Sequence, residues 1–205
     1  MPDAIIDGTG SAFSWAIESN NAGKVNIAPK HTDTTTNAVK CIDYPHNEIH
    51  SGDHYNIRNF TTLAASGNRI TFGVTTPNTT KWAHMLFEIE GTTQTEVRTW
   101  EGATCSGGTA VTPFNNNRNS VDTSTLTIVS DPTISGATPT SGTLIESHSR
   151  GLEGATPAKS SSAGTAKRED EWILKSGTTY IWEIKSVGDD NIIDYSATWY
   201  EHTNK

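Results

Sequence analysis

Tyr180-Ile181-Trp182-Glu183-Ile184-Lys185 and Ile193-Asp194-Tyr195-Ser196-Ala197-Thr198-Trp199-Tyr200 are the stretches whose reading decides the fold. In the first, Tyr180, Trp182 and Ile184 alternate with Ile181, Glu183 and Lys185. In the second, Ile193, Tyr195, Ala197 and Trp199 alternate with Asp194, Ser196, Thr198 and Tyr200. A period of two places one set of side chains on each face of a β-strand, so both stretches read as strands with one apolar face. Asp189-Asp190-Asn191 between them reads as a solvated turn.

Working outward, Trp172 and Leu174 lead to the turn Lys175-Ser176-Gly177-Thr178, and Leu126 and Ile128 alternate with Thr125 and Thr127 before Asp131-Pro132. Met85, Phe87 and Ile89 form one face against His84, Glu88 and Glu90, while Ile70, Phe72 and Val74 run to Thr76-Pro77-Asn78. Val39 to Tyr44 is a further candidate, and weaker ones near Val97 and Leu144 bring the total to about eight to ten strands. No window gives a convincing helix. Residues 163–173 contain Ala, Lys, Arg and Glu, but Gly164 and the serines before it count against one. Strands with one apolar face and no helices to cover them pack sheet on sheet. The expected fold is all-β, an antiparallel, jelly-roll-like sandwich with Phe72, Met85, Phe87, Leu126, Trp182, Ile184, Tyr195 and Trp199 inward.

Composition supports this. Only 33% of the residues are hydrophobic, and Thr, Ser, Asn and Gly make up the difference, as suits strands joined by long loops. The formal net charge of −8, without clustered Lys and Arg, argues against nucleic acid and against an anionic membrane surface. No basic, apolar leader opens the sequence, so synthesis in a cytosol is expected. Cys41 and Cys105 read as free thiols.

Residues 1–36 read as an extended arm, with one short strand through Phe13, Trp15 and Ile17, ahead of a single sandwich domain over 37–205. Two long loops follow, 102–120 and 147–170; loops beyond about 15 residues are uncommon unless functional or disordered. An arm can dock by adding a strand to a partner's sheet. Phe13, Trp15, Ile17, Arg150, Lys167 and Arg168 are therefore the candidate protein-interface residues, with 1–36 and the 147–170 loop making the principal contacts.

The sharpest chemical cluster is His46-Asn47-Glu48-Ile49-His50-Ser51-Gly52-Asp53-His54. On a strand, His46, Glu48 and His50 share one face and form a candidate metal-ligand set. The run matches neither the zincin H-E-x-x-H nor a cupin pattern, and a solvated strand end is the simpler reading, so no metal or cofactor is expected. Ser147-His148-Ser149-Arg150 puts nucleophile and base side by side, but geometry defines a triad and no nucleophile elbow is present. No catalysis is expected. The six tryptophans read mainly as core, with Trp100 the best candidate for an exposed, sugar-stacking ring.

Several segments carry a family resemblance: Tyr44 to Tyr55, Thr75 to His84, Glu101-Gly102-Ala103-Thr104 through Pro113-Phe114-Asn115-Asn116-Asn117-Arg118-Asn119-Ser120, and Ala197 to Thr203. Over Lys40 to Lys205 the chain resembles structural proteins of tailed bacteriophages encoded near the major capsid protein. That resemblance implies a head decoration, or cement, protein on the capsid exterior of the virion. It also implies the phage major capsid protein as partner, a homotrimer at three-fold positions, and no catalytic residues. The competing reading is a receptor- or glycan-binding domain of a phage fibre or tail.

Overall fold

The computed structural model describes residues 43–134, 139, 141–151 and 170–203, together with the backbone of four short strands nearer the amino terminus. The chain divides into two units at Asp43/Tyr44. In the first unit β1 (Ile5–Ile6) pairs antiparallel with β2 (Ala12–Phe13), and β3 (Trp15–Ile17) with β4 (Gly23–Val25). Where the sequence suggests one strand through Phe13, Trp15 and Ile17, the backbone belongs to two separate ribbons. The candidate strand at Val39 to Tyr44 lies largely outside the described residues, and its last residue opens a helix.

The second unit runs α1 (Tyr44–Ser51), β5 (His54–Leu63), β6 (Arg69–Thr75), β7 (Lys81–Gly91), β8 (Thr95–Glu101), β9 (Thr109–Ala110), β10 (Phe114–Asn115), β11 (Thr127–Ser130), β12 (Thr143–Arg150), β13 (Trp172–Ile173), β14 (Thr179–Ser186) and β15 (Asn191–Thr203). The strands form two antiparallel sheets, β10-β5-β15-β7-β13 and β12-β8-β14-β6-β11-β9. The decisive stretches are central in each sheet: β14 lies between β8 and β6, and β15 between β5 and β7.

Period-two alternation places the core as expected. Phe72, Met85, Leu126, Trp182, Ile184, Tyr195 and Trp199 are all buried between the sheets, while Phe87 is partly buried and packed on them. Aromatic rings join the layers. Phe72 of one sheet meets Tyr195 of the other at 4.9 Å between centres, and Phe87 stacks on Trp182 at 4.3 Å. Such pairs add about 1 kcal/mol each to the gain from area burial.

The outer face of the six-stranded sheet departs from the simple alternation. Ile181, on the polar side by pattern, is fully buried beneath the segment after β8, with Trp100, Ala103, Cys105 and Ile134. Trp100, expected to be the exposed ring, is only 6% exposed. A loop long enough to fold back over a sheet turns its second face into core, and local alternation carries no sign of that.

Two buried carboxylates hold the assembly in register. Glu183 on β14 lies between Arg69 on β6 and Arg98 on β8, at 2.9 and 3.5 Å. Glu201 on β15 is 1% exposed. It accepts hydrogen bonds from Trp199 Nε1 (3.0 Å), Ser124 Oγ (2.6 Å), Thr125 Oγ1 (2.5 Å) and the Thr125 amide (3.0 Å), so the segment leading into β11 is tied to the other sheet. A buried carboxylate is tolerated only when its oxygens are satisfied, and here the donors depend on it equally. Replacing Glu201 by Ala strands these donors and should cost about 3 kcal/mol or more. Equilibrium urea unfolding should show a lower midpoint with an unchanged slope.

Candidate functional site

The segment read as a strand end is a helix. Asp43 stands at its N-cap position, Pro45 lies in its first turn, and Gly52 follows its last residue with φ of +84°. Proline early and glycine just past the end are the ordinary punctuation of a short helix. The amides of Gly52 and Asp53 donate back to the carbonyls of Ile49 (3.2 Å) and Glu48 (3.0 Å) and close its end. The helical period rearranges the candidate ligands. His46 and His50, four apart, share one face with their Nε2 atoms 3.0 Å apart, whereas Glu48 turns away and is buried. The set His46, Glu48 and His50 therefore does not assemble.

A larger cluster replaces it. His54 opens β5, His84 lies on β7, and both stand opposite Tyr200 of β15, one on either side. Their rings stack against the Tyr200 ring at 6.4 and 4.7 Å, and Tyr44 of α1 meets Tyr200 and His202 edge-on at 5.7 and 5.5 Å. Glu171, just before β13, accepts hydrogen bonds from His84 Nδ1 (2.8 Å) and from the Tyr200 hydroxyl (3.0 Å). The Nε2 atoms of His84 and His202 are 2.8 Å apart. Sequence reasoning missed this group because its members lie far apart in the chain; only His54 fell within the run singled out. Among the described residues, no three His, Cys, Asp or Glu side chains converge as a complete metal-ligand set.

The cavity beside this cluster, lined by Pro45, His54, His84, Leu86, Glu171, Thr198, Trp199 and Tyr200, measures about 170 Å³. That is below the usual range for small-molecule pockets, about 300–1,000 Å³. His54 lines it as a neutral base. The Asn116 amide nitrogen donates to His54 Nδ1 at 2.7 Å, and burial holds the imidazole below its ordinary pKa.

The other candidates separate clearly. His148 faces Glu146 (Nδ1 to Oε1, 3.2 Å), while Ser149 Oγ accepts from Gln94 at 3.0 Å, since neighbours on a strand point to opposite faces. Asp189 accepts from the Ser66 amide at 2.8 Å and serves a turn. Cys105 is a free thiol whose pKa burial raises, which keeps it protonated and unreactive. Arg150 ends β12 and is exposed. Lys167, Arg168 and Cys41 lie outside the described residues, as do the side chains of Phe13, Trp15 and Ile17.

One flank of the sandwich is built differently from the rest. β12 and β13 are edge strands of opposite sheets. Between them a narrow, mainly apolar cleft is lined by Met85, Phe87, Ile145, Trp172, Leu174, Tyr180 and Trp182, with Thr99 and Glu146 also on its wall, and has a free volume of about 10 Å³, room for a single water. Trp172 is 37% exposed at its mouth, while Leu144 and Ile173, about half exposed, stand opposite Trp100 and His84 on the outer faces of the two edge strands. No helix among the described residues is long and apolar enough to cross a membrane.

No family model, curated protein or solved structure matches the chain.

The depressed His54 pKa has a definite sign in stability. Between about pH 6.5 and the lower folded value, the unfolded chain takes up a proton that the folded chain refuses. Stability should fall as pH drops from 7 toward 5, and His54→Gln should flatten that part of the profile in urea unfolding at stepped pH.

Proposed function

We propose that the chain is a decoration protein of a tailed-bacteriophage head, which attaches to the outside of the capsid and reinforces contacts there without running a reaction. The observation that carries this reading is the β12/β13 flank. Two sheet edges lie side by side there, with Trp172 exposed at the mouth of a cleft too narrow for a ligand and Leu144 and Ile173 exposed on the outer faces of the edge strands. Unpaired strand edges are templates for another chain. An extended segment of the major capsid protein can pair with β12, eight residues long, and lay apolar side chains against Trp172, with Leu144 and Ile173 flanking the contact. Arg150 lies at the end of that edge and supplies a cation for the rim.

The resemblance to capsid-associated phage proteins supplies the partner and the three-fold arrangement, and identical copies closing a ring give a homotrimer. On this reading residues 1–36 and the segment that follows β12 are expected to take part in the contact as well. The cluster of histidines and tyrosines lies at α1, on the outer side of the five-stranded sheet, and this reading gives it no part in attachment.

The test is reconstitution on capsids that lack the protein. Wild-type chain should bind them and raise their melting temperature. Leu144→Asp and Ile173→Asp, both at half-exposed positions, should leave the free protein's stability within about 1 kcal/mol. They should reduce capsid occupancy by at least tenfold. Full occupancy by both variants would remove the flank from the interface. Wild-type protein that ignores capsids but binds a glycan array would indicate a fibre or tail receptor-binding domain instead. Light scattering at micromolar concentration should report three times the 22.1 kDa chain mass.

A further inference from the structure

The His84–His202 pair carries an inference that capsid binding does not need. The far nitrogen of each ring is committed. His84 Nδ1 lies 2.8 Å from Glu171 Oε1, an oxygen that also accepts from the Tyr200 hydroxyl. His202 Nδ1 lies 3.1 Å from the carbonyl oxygen of Thr203. A carboxylate and a carbonyl only accept, so each Nδ1 carries the hydrogen. In a neutral imidazole the other nitrogen then holds a lone pair. Two lone pairs, on His84 Nε2 and His202 Nε2, thus face each other across 2.8 Å. That contact is repulsive unless a cation stands between them, and the cation is either a shared proton or a metal ion.

The ring geometry separates the two. A straight N–H···N bond of this length would hold the ring centres about 5.1 Å apart. Two imidazoles in neighbouring positions on one metal, each bonded at 2.0–2.1 Å, place their nitrogens about 2.9 Å and their ring centres about 4.5 Å apart. The observed values are 2.8 and 4.6 Å, with ring planes 36° apart. Glu171 on the far nitrogen of His84 is the carboxylate partner that metal-bound histidines ordinarily have, fixing the tautomer and raising ligand basicity. The pair His46–His50 has a similar separation, but its rings lie on an exposed helix face.

We propose that His84 and His202 form a two-imidazole site for a divalent transition-metal ion, with water or an outside donor in the remaining positions and Glu171 positioning His84. A right angle at the metal favours tetragonal ions, so Cu²⁺ and Ni²⁺ should bind more tightly than Zn²⁺. Such an ion would bridge β7 to the carboxyl-terminal end of β15.

The experiment is calorimetric titration of the full chain with CuCl₂ at pH 7.5, alongside the electron paramagnetic resonance spectrum of bound Cu²⁺ and melting temperatures with and without NiCl₂. Wild type should bind copper with a two-nitrogen spectrum and melt higher with nickel. His202→Ala should weaken copper binding at least tenfold and lose the nickel shift, while the double variant His46→Ala/His50→Ala should retain both. Both variants are checked for folding by circular dichroism. His84→Ala is a further arm; should it fail to fold, His202→Ala carries the comparison. Undiminished binding by His202→Ala, loss only in the His46/His50 variant, or no binding by wild type would each overturn the site and leave a shared proton between the rings.

Discussion

The sandwich depends on the placement of β15. Its thirteen residues pair with β5 on one side and β7 on the other, so it has no free edge over most of its length. Its inward residues, Ile193, Tyr195, Ala197 and Trp199, are all buried. A shift of one residue would turn every one of them outward, so this central position sets the register of its sheet. The opposite layer answers through β14, whose Tyr180, Trp182 and Ile184 are buried in the same core.

The polar interior follows from the same strands. The Glu201 carboxylate reaches inward from β15 and gathers donors from the Ser124–Thr125 segment, and Glu183 projects from the other face of β14 between two arginines. Pairing makes burial of these charges tolerable, and it also ties a loop and three neighbouring strands to fixed positions. The outer face of β15 has a third arrangement: Tyr200 lies between His54 and His84, with α1 laid over it. Metal binding and capsid binding would use adjoining parts of this frame. One centres on the α1 end and the other on the flank of edge strands, and they meet at β13, where Ile173 stands opposite His84 across the β13/β7 pairing.

Much of the frame was legible because alternation is a local consequence of strand geometry. Phe72, Met85, Trp182, Ile184, Tyr195 and Trp199 reveal their side by position alone. The helix at Tyr44–Ser51 was missed although its signals were present. Pro45 and Gly52 bracket six residues, but the two histidines and the glutamate between them drew attention to a strand-type ligand face. Trp100 was misplaced for another reason, because its burial comes from a loop that folds back over the sheet.

The sequence by itself determined the class of fold, the inward face of most strands and the absence of clustered basic charge, since each depends on residue type and near-neighbour spacing. Tertiary structure alone decided which strands became neighbours and which stand at the sheet edges among the described residues. It also decided which histidines met. His84, Glu171 and His202 are separated by 87 and 31 positions in the chain. They come together because β7 and β15 pair in one register and β13 adds to β7 in another, and long-range hydrogen bonding of that kind leaves no periodic mark on the residues that it joins.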